Sequence, residues 1–321
     1  MNIKKLTALL CAVVMVLSLA ACGSGSGDKA ENKHYTVGIC QLVQHDALDA
    51  ATKGFRDAIT DALGAENVTF DEQNAAGDSA TCATICNGFV SSGVDLILAN
   101  ATGALQAAAA ATKDIPILGT AVTEYGVALG IDNFSGTVGG NISGTSDLAP
   151  LDQQAAMLTE LFPDAKNVGI IYCSGEANSV YQADVVKAAL EKSGCTVNVY
   201  KFADTNDVVS VTAAASDAND VLYVPTDNTA ASCAEAIKSA AKKPIIAGEE
   251  GICKGCGVAT LSIDYYELGR TTGEMAVKIL KGEADISTMA IEYYPNPVKK
   301  YNPEMATAYN VTIPSDYAAI G

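Results

Sequence analysis

The chain has 321 residues, with 37 Asp and Glu against 20 Lys and Arg and a formal net charge of −17. That balance excludes nucleic acid and an anionic membrane face as partners, since both need a basic patch. With 49% hydrophobic and 18% charged residues the chain is not disordered, and with no Trp and 6% aromatics its core has to come from Ala, Val, Ile and Leu.

In chain order, Lys4 and Lys5 precede an apolar stretch, Leu6 to Ala20, which runs into Ala21, Cys22 and a Gly/Ser segment. A basic start, a short apolar run and small residues at the cut follow the order of a secretory signal. The run is too short to span a bilayer, which takes about 20 residues. Leu19-Ala20-Ala21-Cys22 is similar to the lipobox of bacterial lipoproteins, whose Cys is acylated and becomes the new N-terminus. The other reading is an ordinary signal with an incidental Cys. Residues 1–21 are therefore expected to be a lipoprotein signal peptide, and residues 22–33 an acylated Cys (palmitate among its chains) with a flexible linker. Acyl chains hold by roughly 0.8 kcal/mol per buried CH₂, and 11 linker residues have an r.m.s. span of roughly 17–20 Å. The protein is then extracytoplasmic and tethered to the membrane by Cys22. Without Lys4 and Lys5 the count is 18 basic against 37 acidic residues, a net −19.

The body alternates strands and helices. Tyr35–Gln41 reads as a strand, Asp46–Leu63 as an amphipathic helix, Val68–Asp71 as a strand and Ser79–Ser91 as a helix. Strand Val94–Ala99, the Ala-rich helix Thr102–Thr112 and strand Ile115–Leu118 follow. Beyond an irregular Gly/Ser-rich stretch, Gly136–Asp147, the cycle restarts with strand Asn167–Tyr172 and helix Ala177–Lys192. It continues with strand Thr196–Tyr200, helix Val208–Ser216, strand Val221–Val224, helix Thr229–Ala241 and strand Pro244–Ala247. Such alternation predicts right-handed βαβ units and parallel sheets, here in two α/β domains. Polar residues and helix N-termini follow each strand, at the carboxyl ends where open α/β sheets bind ligands. Two facing sheets make a cleft without any catalytic group.

Ten cysteines are many for an exported chain. Cys11 leaves with the leader and Cys22 is the anchor. Exported chains usually pair their cysteines. Free thiols in a reducing habitat are the preferred reading of the remaining eight. Disulfides, or a metal held by Cys82 and Cys86 (i, i+4) with Cys253 and Cys256 (C-x-x-C), stay open as alternatives. Cys40 and Cys173 end apolar runs and read as small buried hydrophobes.

Six strings carry a resemblance: Gln44–Phe55 (QHDALDAATKGF), Asn67–Gly77 (NVTFDEQNAAG), Ala110–Thr123 (AATKDIPILGTAVT), Ser174–Gln182 (SGEANSVYQ), Tyr223–Thr229 (YVPTDNT) and Ile263–Gly282 (IDYYELGRTTGEMAVKILKG). In this order the chain resembles ABC-transporter substrate-binding lipoproteins of the tryptophan/tyrosine type, over about Tyr35 to Pro314. Two positions depart from the pattern: Gly103 stands where a Pro is expected and Leu42 where an aromatic is expected. The resemblance implies a type I periplasmic-binding-protein fold, with two doubly wound parallel-sheet lobes joined by three crossings and a ligand cleft between them. One lobe would be 34–147 plus 264–285, the other 148–263 plus 286–321, completed by a strand near Ile286–Tyr294. A short helix follows Tyr301, with Asn302 as N-cap and Pro303 at its first position.

A free amino acid presents an ammonium, which needs carboxylates or carbonyls, and a carboxylate, which needs N–H or hydroxyl donors. With the resemblance, Asp227, Asn228 and Asp264 are candidate ligand contacts, each otherwise a helix cap. Asn178 and Ser179 open a helix and offer donors to a carboxylate, and Thr102 and Gly103 expose backbone N–H groups. Ser146 and Asp147 lie at the first crossing as hinge or ligand residues; Gln41 ends the first strand; Glu250, beside Glu249, is placed to face an ammonium. Arg56 and Arg270 lie in helix bodies, so no bidentate Arg clamp is expected. His34 reads as solvated and His45 as incidental.

The leading expectation is a monomeric, non-enzymatic receptor that closes on an aromatic amino acid and delivers it to an ABC permease in the membrane, with neither cofactor nor metal. A ligand-sensing receptor of the same fold is the alternative. An exported hydrolase is a third reading, opposed by the lack of G-x-S-x-G and H-E-x-x-H and by only two His.

Overall fold

In the computed structural model, which describes residues 33–321, strands and returning helices alternate in two lobes. The lipobox and Cys22 lie outside the described residues. The first lobe runs through β1 (Tyr35–Gln41), α1 (Asp46–Leu63), β2 (Val68–Asn74), α2 (Ser79–Ser92), β3 (Leu96–Asn100), α3 (Thr102–Ala111), β4 (Ile117–Val122), α4 (Tyr125–Leu129) and β5 (Ile142–Ser146). The second begins with α5 (Leu151–Leu161), β6 (Asn167–Cys173), α6 (Ala177–Lys192), β7 (Thr196–Phe202), α7 (Val208–Ala218) and β8 (Val221–Val224). It goes on through α8 (Asn228–Ser232), α9 (Ala234–Ala240), β9 (Ile245–Ala247), α10 (Glu250–Gly255) and β10 (Ala259–Ser262). The chain then returns to the first lobe with α11 (Tyr265–Leu280) and β11 (Glu292–Tyr293), and ends in the second with β12 (Val298–Tyr301), α12 (Pro303–Ala308) and β13 (Ala318–Ala319).

The first sheet has the order β11-β5-β4-β3-β1-β2 and the second β13-β12-β10-β9-β8-β6-β7. All pairings are parallel except β10 with β12. The central strands β3, β4 and β8 are buried along their whole length, as parallel strands covered by helices on both faces must be. In each sheet the order reverses beside the first strand, between β1 and β3 and between β6 and β8. Loops leaving such neighbours diverge to opposite faces and open a crevice at the strands' carboxyl ends.

Helix α11 is bound into the first lobe by close backbone approach. A Cβ added at Gly54 would stand 2.0 Å from the Tyr266 carbonyl oxygen, and one at Gly269 would stand 2.0 Å from that of Ala51. Only glycine lets α1 and α11 meet this closely. Beneath them the hydroxyls of Thr120, Thr145 and Thr272 form a closed buried triangle at 2.8–3.2 Å, tying α11 to β4 and β5.

Three expectations are corrected. The stretch 136–147 is not irregular throughout: it contains β5, whose polar residues are buried because Ser143 donates to the Met289 carbonyl and Thr145 shares the hydroxyl triangle. The segment 286–294 does not complete the second lobe. Glu292 and Tyr293 pair with Thr145 and Ser146 at the edge that β5 leaves open, and Ile291 is buried in the first core, so that lobe reclaims the chain to Tyr294. The second sheet is extended instead by β12. The helix expected over 229–241 is two, parted at Cys233 (φ −126°, ψ 26°). As expected, Asn302 caps α12, accepting from the Glu304 and Met305 N–H groups ahead of Pro303.

Gly269→Ala is expected to lower unfolding free energy by about 1–3 kcal/mol in urea titration monitored by circular dichroism. A variant as stable as its parent would refute the close approach of α1 and α11.

Candidate functional site

The carboxyl ends of the two sheets face one another across a cleft of about 280 Å³. Its first-lobe wall comes from the loops after β1 (Leu42, Val43), β2 (Ala76, Gly77, Ser79) and β3 (Thr102, Gly103, Gln106). Its second-lobe wall comes from the loops after β6 (Cys173, Gly175, Glu176, Ala177, Asn178), β7 (Ala203, Asp204, Thr205) and β8 (Asn228, Thr229, Ser232). Both reversal points of strand order therefore open into one cavity. No Lys or Arg is among the described lining residues; Arg56 pairs with Glu72 and Arg270 with Asp61 on the surface.

The first-lobe wall is neutral and donor-rich. Ala101 precedes α3 at φ 89°, ψ 161°, backbone that almost only glycine adopts without strain. Its side chain cannot cap, so the first N–H groups of α3 keep no side-chain acceptor and the positive end of the helix dipole points outward. The Thr102 residue is 4% exposed and its hydroxyl has no hydrogen-bond partner among the described residues. A Cβ at Gly103 would lie 3.3 Å from the Leu42 side chain, so the two positions that depart from the family pattern are neighbours in the cleft.

The second-lobe wall is acidic. Glu176, buried at the start of α6, reaches across to the start of α8 and accepts five hydrogen bonds. Its Oε1 takes the Thr229 N–H (2.8 Å) and hydroxyl (2.7 Å). Its Oε2 takes the Asn228 N–H (3.0 Å), Asn228 Nδ2 (2.8 Å) and Asn178 Nδ2 (3.1 Å). Asp227 lies beneath, accepting from the N–H groups of Ala230 and Cys173, each at 2.7 Å. Burial pushes the Asp227 carboxyl up to about 8, and the nearby Glu176 adds to the shift against the pull of those N–H groups.

At the hinge, Tyr265 of the second crossing donates to Asp147 Oδ2 of the first at 3.0 Å. Ser146 accepts the Leu148 N–H and donates to the Thr123 carbonyl. Burial holds the Asp147 carboxyl above its ordinary range, and its Oδ1 is buried without a partner. His45 Nε2 meets Asn228 Oδ1 at 3.2 Å from the opposite lobe, and Lys254 of the second lobe reaches Asp46 of the first at 3.2 Å.

Thus Thr102, Gly103, Asn178 and Asn228 come together on the cleft. Asp227 and Ser179 are buried behind its wall, Asp227 as the cap of α8. Ser146 and Asp147 belong to the hinge. Gln41 is spent within the first lobe, donating to Asp49 and accepting from Thr52. Glu250 pairs with Lys300 and Ser262, and Asp264 is an exposed cap of α11; both line a separate groove beside the hinge. His45, read as incidental, bridges the lobes. Residues not singled out as candidates include Ser79, Gln106, Thr229 and Glu176. Glu176 lies inside the string SGEANSVYQ, but its long reach to α8 has no signature in local sequence. All eight described cysteines are free thiols. No group of three or more His, Cys, Asp or Glu among the described residues is placed to hold a metal.

An Asp whose carboxyl is raised from about 4 in the unfolded chain to about 8 in the fold contributes stability that is full below the first value and lost through the second. Asp227→Asn removes that dependence and costs an acceptor. In thermal melts the variant is expected to lie below the parent at pH 5, with the gap narrowing by pH 8.5. A widening gap would overturn the assignment.

The family model for the ABC transporter substrate binding protein matches residues 36–317. The chain is 38% identical over 295 residues to a tyrosine-binding protein of Clostridioides difficile (strain R20291), covering 88% of this chain and 85% of that one. It superposes with a TM-score of 0.84 on a Streptococcus pneumonia ABC-domain structure in complex with L-Trp, at 32% identity over 88% of this chain and 97% of the other. On the ligand-free, open structure of a Clostridium difficile substrate binding protein with adhesive properties the TM-score is 0.68, at 38% identity over 89% and 99%. The chain therefore belongs to the ABC transporter substrate-binding proteins, with the type I periplasmic-binding-protein fold.

Proposed function

We propose that this protein is an extracytoplasmic receptor of an ABC importer, anchored by acylated Cys22, that captures an aromatic amino acid by lobe closure and delivers it to the membrane permease. The observation that carries the amino-acid reading is the asymmetry of the cleft. An uncapped helix end and an unpartnered Thr102 hydroxyl on the first lobe suit a carboxylate. The acidic wall built on Glu176 suits an ammonium. A zwitterion matches both at once. The relatives named for tyrosine and L-Trp favour the same class.

Two further observations support closure as the working motion. The chain superposes better on the L-Trp complex than on the open relative, although the latter is more similar in sequence. The contacts His45–Asn228 and Lys254–Asp46 join the lobes. Hinge closure around a ligand is the expected motion of two lobes on crossing strands. The exposed Lys254–Asp46 pair adds little, as surface ion pairs do. The linker and lipid would keep the receptor near its permease.

Isothermal titration of the mature protein with the twenty amino acids is expected to give a Kd below about 100 μM for Tyr, Trp or Phe. Absence of binding by all three would overturn the reading. Thr102→Val, which keeps shape and removes the hydroxyl, is expected to weaken that ligand about tenfold; unchanged affinity would remove Thr102 from the carboxylate site. Metabolic labelling with a palmitate analogue is expected to mark the full-length chain and not Cys22→Ala; equal labelling would refute the anchor.

A further inference from the structure

We propose that Glu176 is the positioning residue that sets the charge selectivity of the cleft, by turning the amide groups of Asn178 and Asn228 so that both present their carbonyl oxygens to the ligand.

The argument is one of hydrogen-bond inventory. An Asn side chain carries two N–H donors on nitrogen and an acceptor oxygen, and which end faces a ligand is decided by what holds the other end. Asn178 Nδ2 faces Glu176 Oε2 at 3.1 Å and the Thr226 carbonyl at 3.1 Å, both obligate acceptors. Its carbonyl oxygen has no partner among the described residues, and the residue lines the cleft. Asn228 Nδ2 is taken by the same carboxylate oxygen at 2.8 Å. Its Oδ1 then faces away from Glu176, where His45 Nε2 approaches at 3.2 Å. Because Oδ1 can only accept, the imidazole must carry a hydrogen on Nε2 to make this contact. Glu176 thereby orients the interlobe hydrogen bond as well as the wall.

The backbone N–H groups of Asn228 and Thr229 and the Thr229 hydroxyl, which would otherwise serve an anion, are also spent on Glu176. No described Lys or Arg pairs with Glu176, so its charge is balanced by dipoles alone. A ligand group that donates, such as an ammonium, meets two carbonyl oxygens and a negative background. A carboxylate placed against these two oxygens meets repulsion and no donor from either amide. The inference rests on the amino-acid reading above and adds the residue that makes the amino group obligatory.

The test compares L-tryptophan with 3-indolepropionate and L-tyrosine with 3-(4-hydroxyphenyl)propionate, pairs that differ by the amino group alone. In the unaltered protein the deaminated acid is expected to bind at least about 100-fold more weakly than its amino acid. Glu176→Gln offers an N–H where the carboxylate only accepted, which lets the Asn228 amide reverse. The ratio between the paired ligands is then expected to contract at least about tenfold, with the fold confirmed by circular dichroism. A merely structural role would weaken both ligands together and leave the ratio unchanged, and that result would overturn the proposal. Should the variant fail to fold, the unaltered protein still decides: a deaminated acid that binds as well as its amino acid refutes an acceptor site made by Asn178 and Asn228. If neither amino acid binds the unaltered protein, the amino-acid reading itself falls.

Discussion

The structure depends on one topological constraint: in each sheet the strand order reverses beside the first strand, and the two reversal points face each other. A parallel sheet covered by helices on both faces has no open surface of its own. The place where ligand can enter is where successive loops diverge, beside β1 and β3 in one lobe and β6 and β8 in the other. Both pairs of loops line the same cavity. The triple crossing enforces that opposition, because each lobe is completed by chain that returns from the other.

The two lobes are joined by few contacts of different strength. The Tyr265–Asp147 hydrogen bond is buried at the hinge and joins two crossings. The α1–α11 seam is rigid, since backbone meets backbone there. By contrast, the cleft edge carries an exposed ion pair and one imidazole–amide contact. A stiff hinge region and a lightly held mouth suit a receptor that has to release what it binds. The strained backbone at Ala101 sits at the mouth as well, where it aims the end of α3 into the cavity.

Charge is divided between the walls in the same spirit. Glu176 and Asp227 are buried together without a cationic partner, an arrangement that a fold tolerates when backbone N–H groups and amides satisfy the oxygens. Their cost is offset by dipoles, and Glu176, which lines the cleft, makes this wall the acidic one. The opposing wall offers a helix N-terminus. The chain is strongly acidic as a whole, yet the feature that matters for recognition is this local separation across the small cavity.

The strands Tyr35–Gln41 and Val221–Val224 and the helices Asp46–Leu63 and Ala177–Lys192 were legible in sequence to the residue, because apolar periodicity is a local property that burial on one face imposes. The two α/β domains were legible in the strand–helix alternation, whereas the likeness to the substrate-binding family rested on the six strings and not on periodicity. Strand β5 was not, since its Ser and Thr residues look like loop until Thr120 and Thr272 supply partners from distant segments. Nor was the allegiance of β11, which depends on an edge left open far upstream. Among candidate ligand residues, position after a strand identified Thr102, Gly103, Asn178 and Asn228, but it could not separate a cap from a contact. Asp227 and Asp264 cap helices, and Glu176 reaches past its own helix to organise another. Sequence by itself determined which segments form strands and helices and which loops end near the cleft. Only the tertiary structure decided which polar atoms remain unspent there, because a hydrogen bond made within the fold is one no longer offered to a ligand.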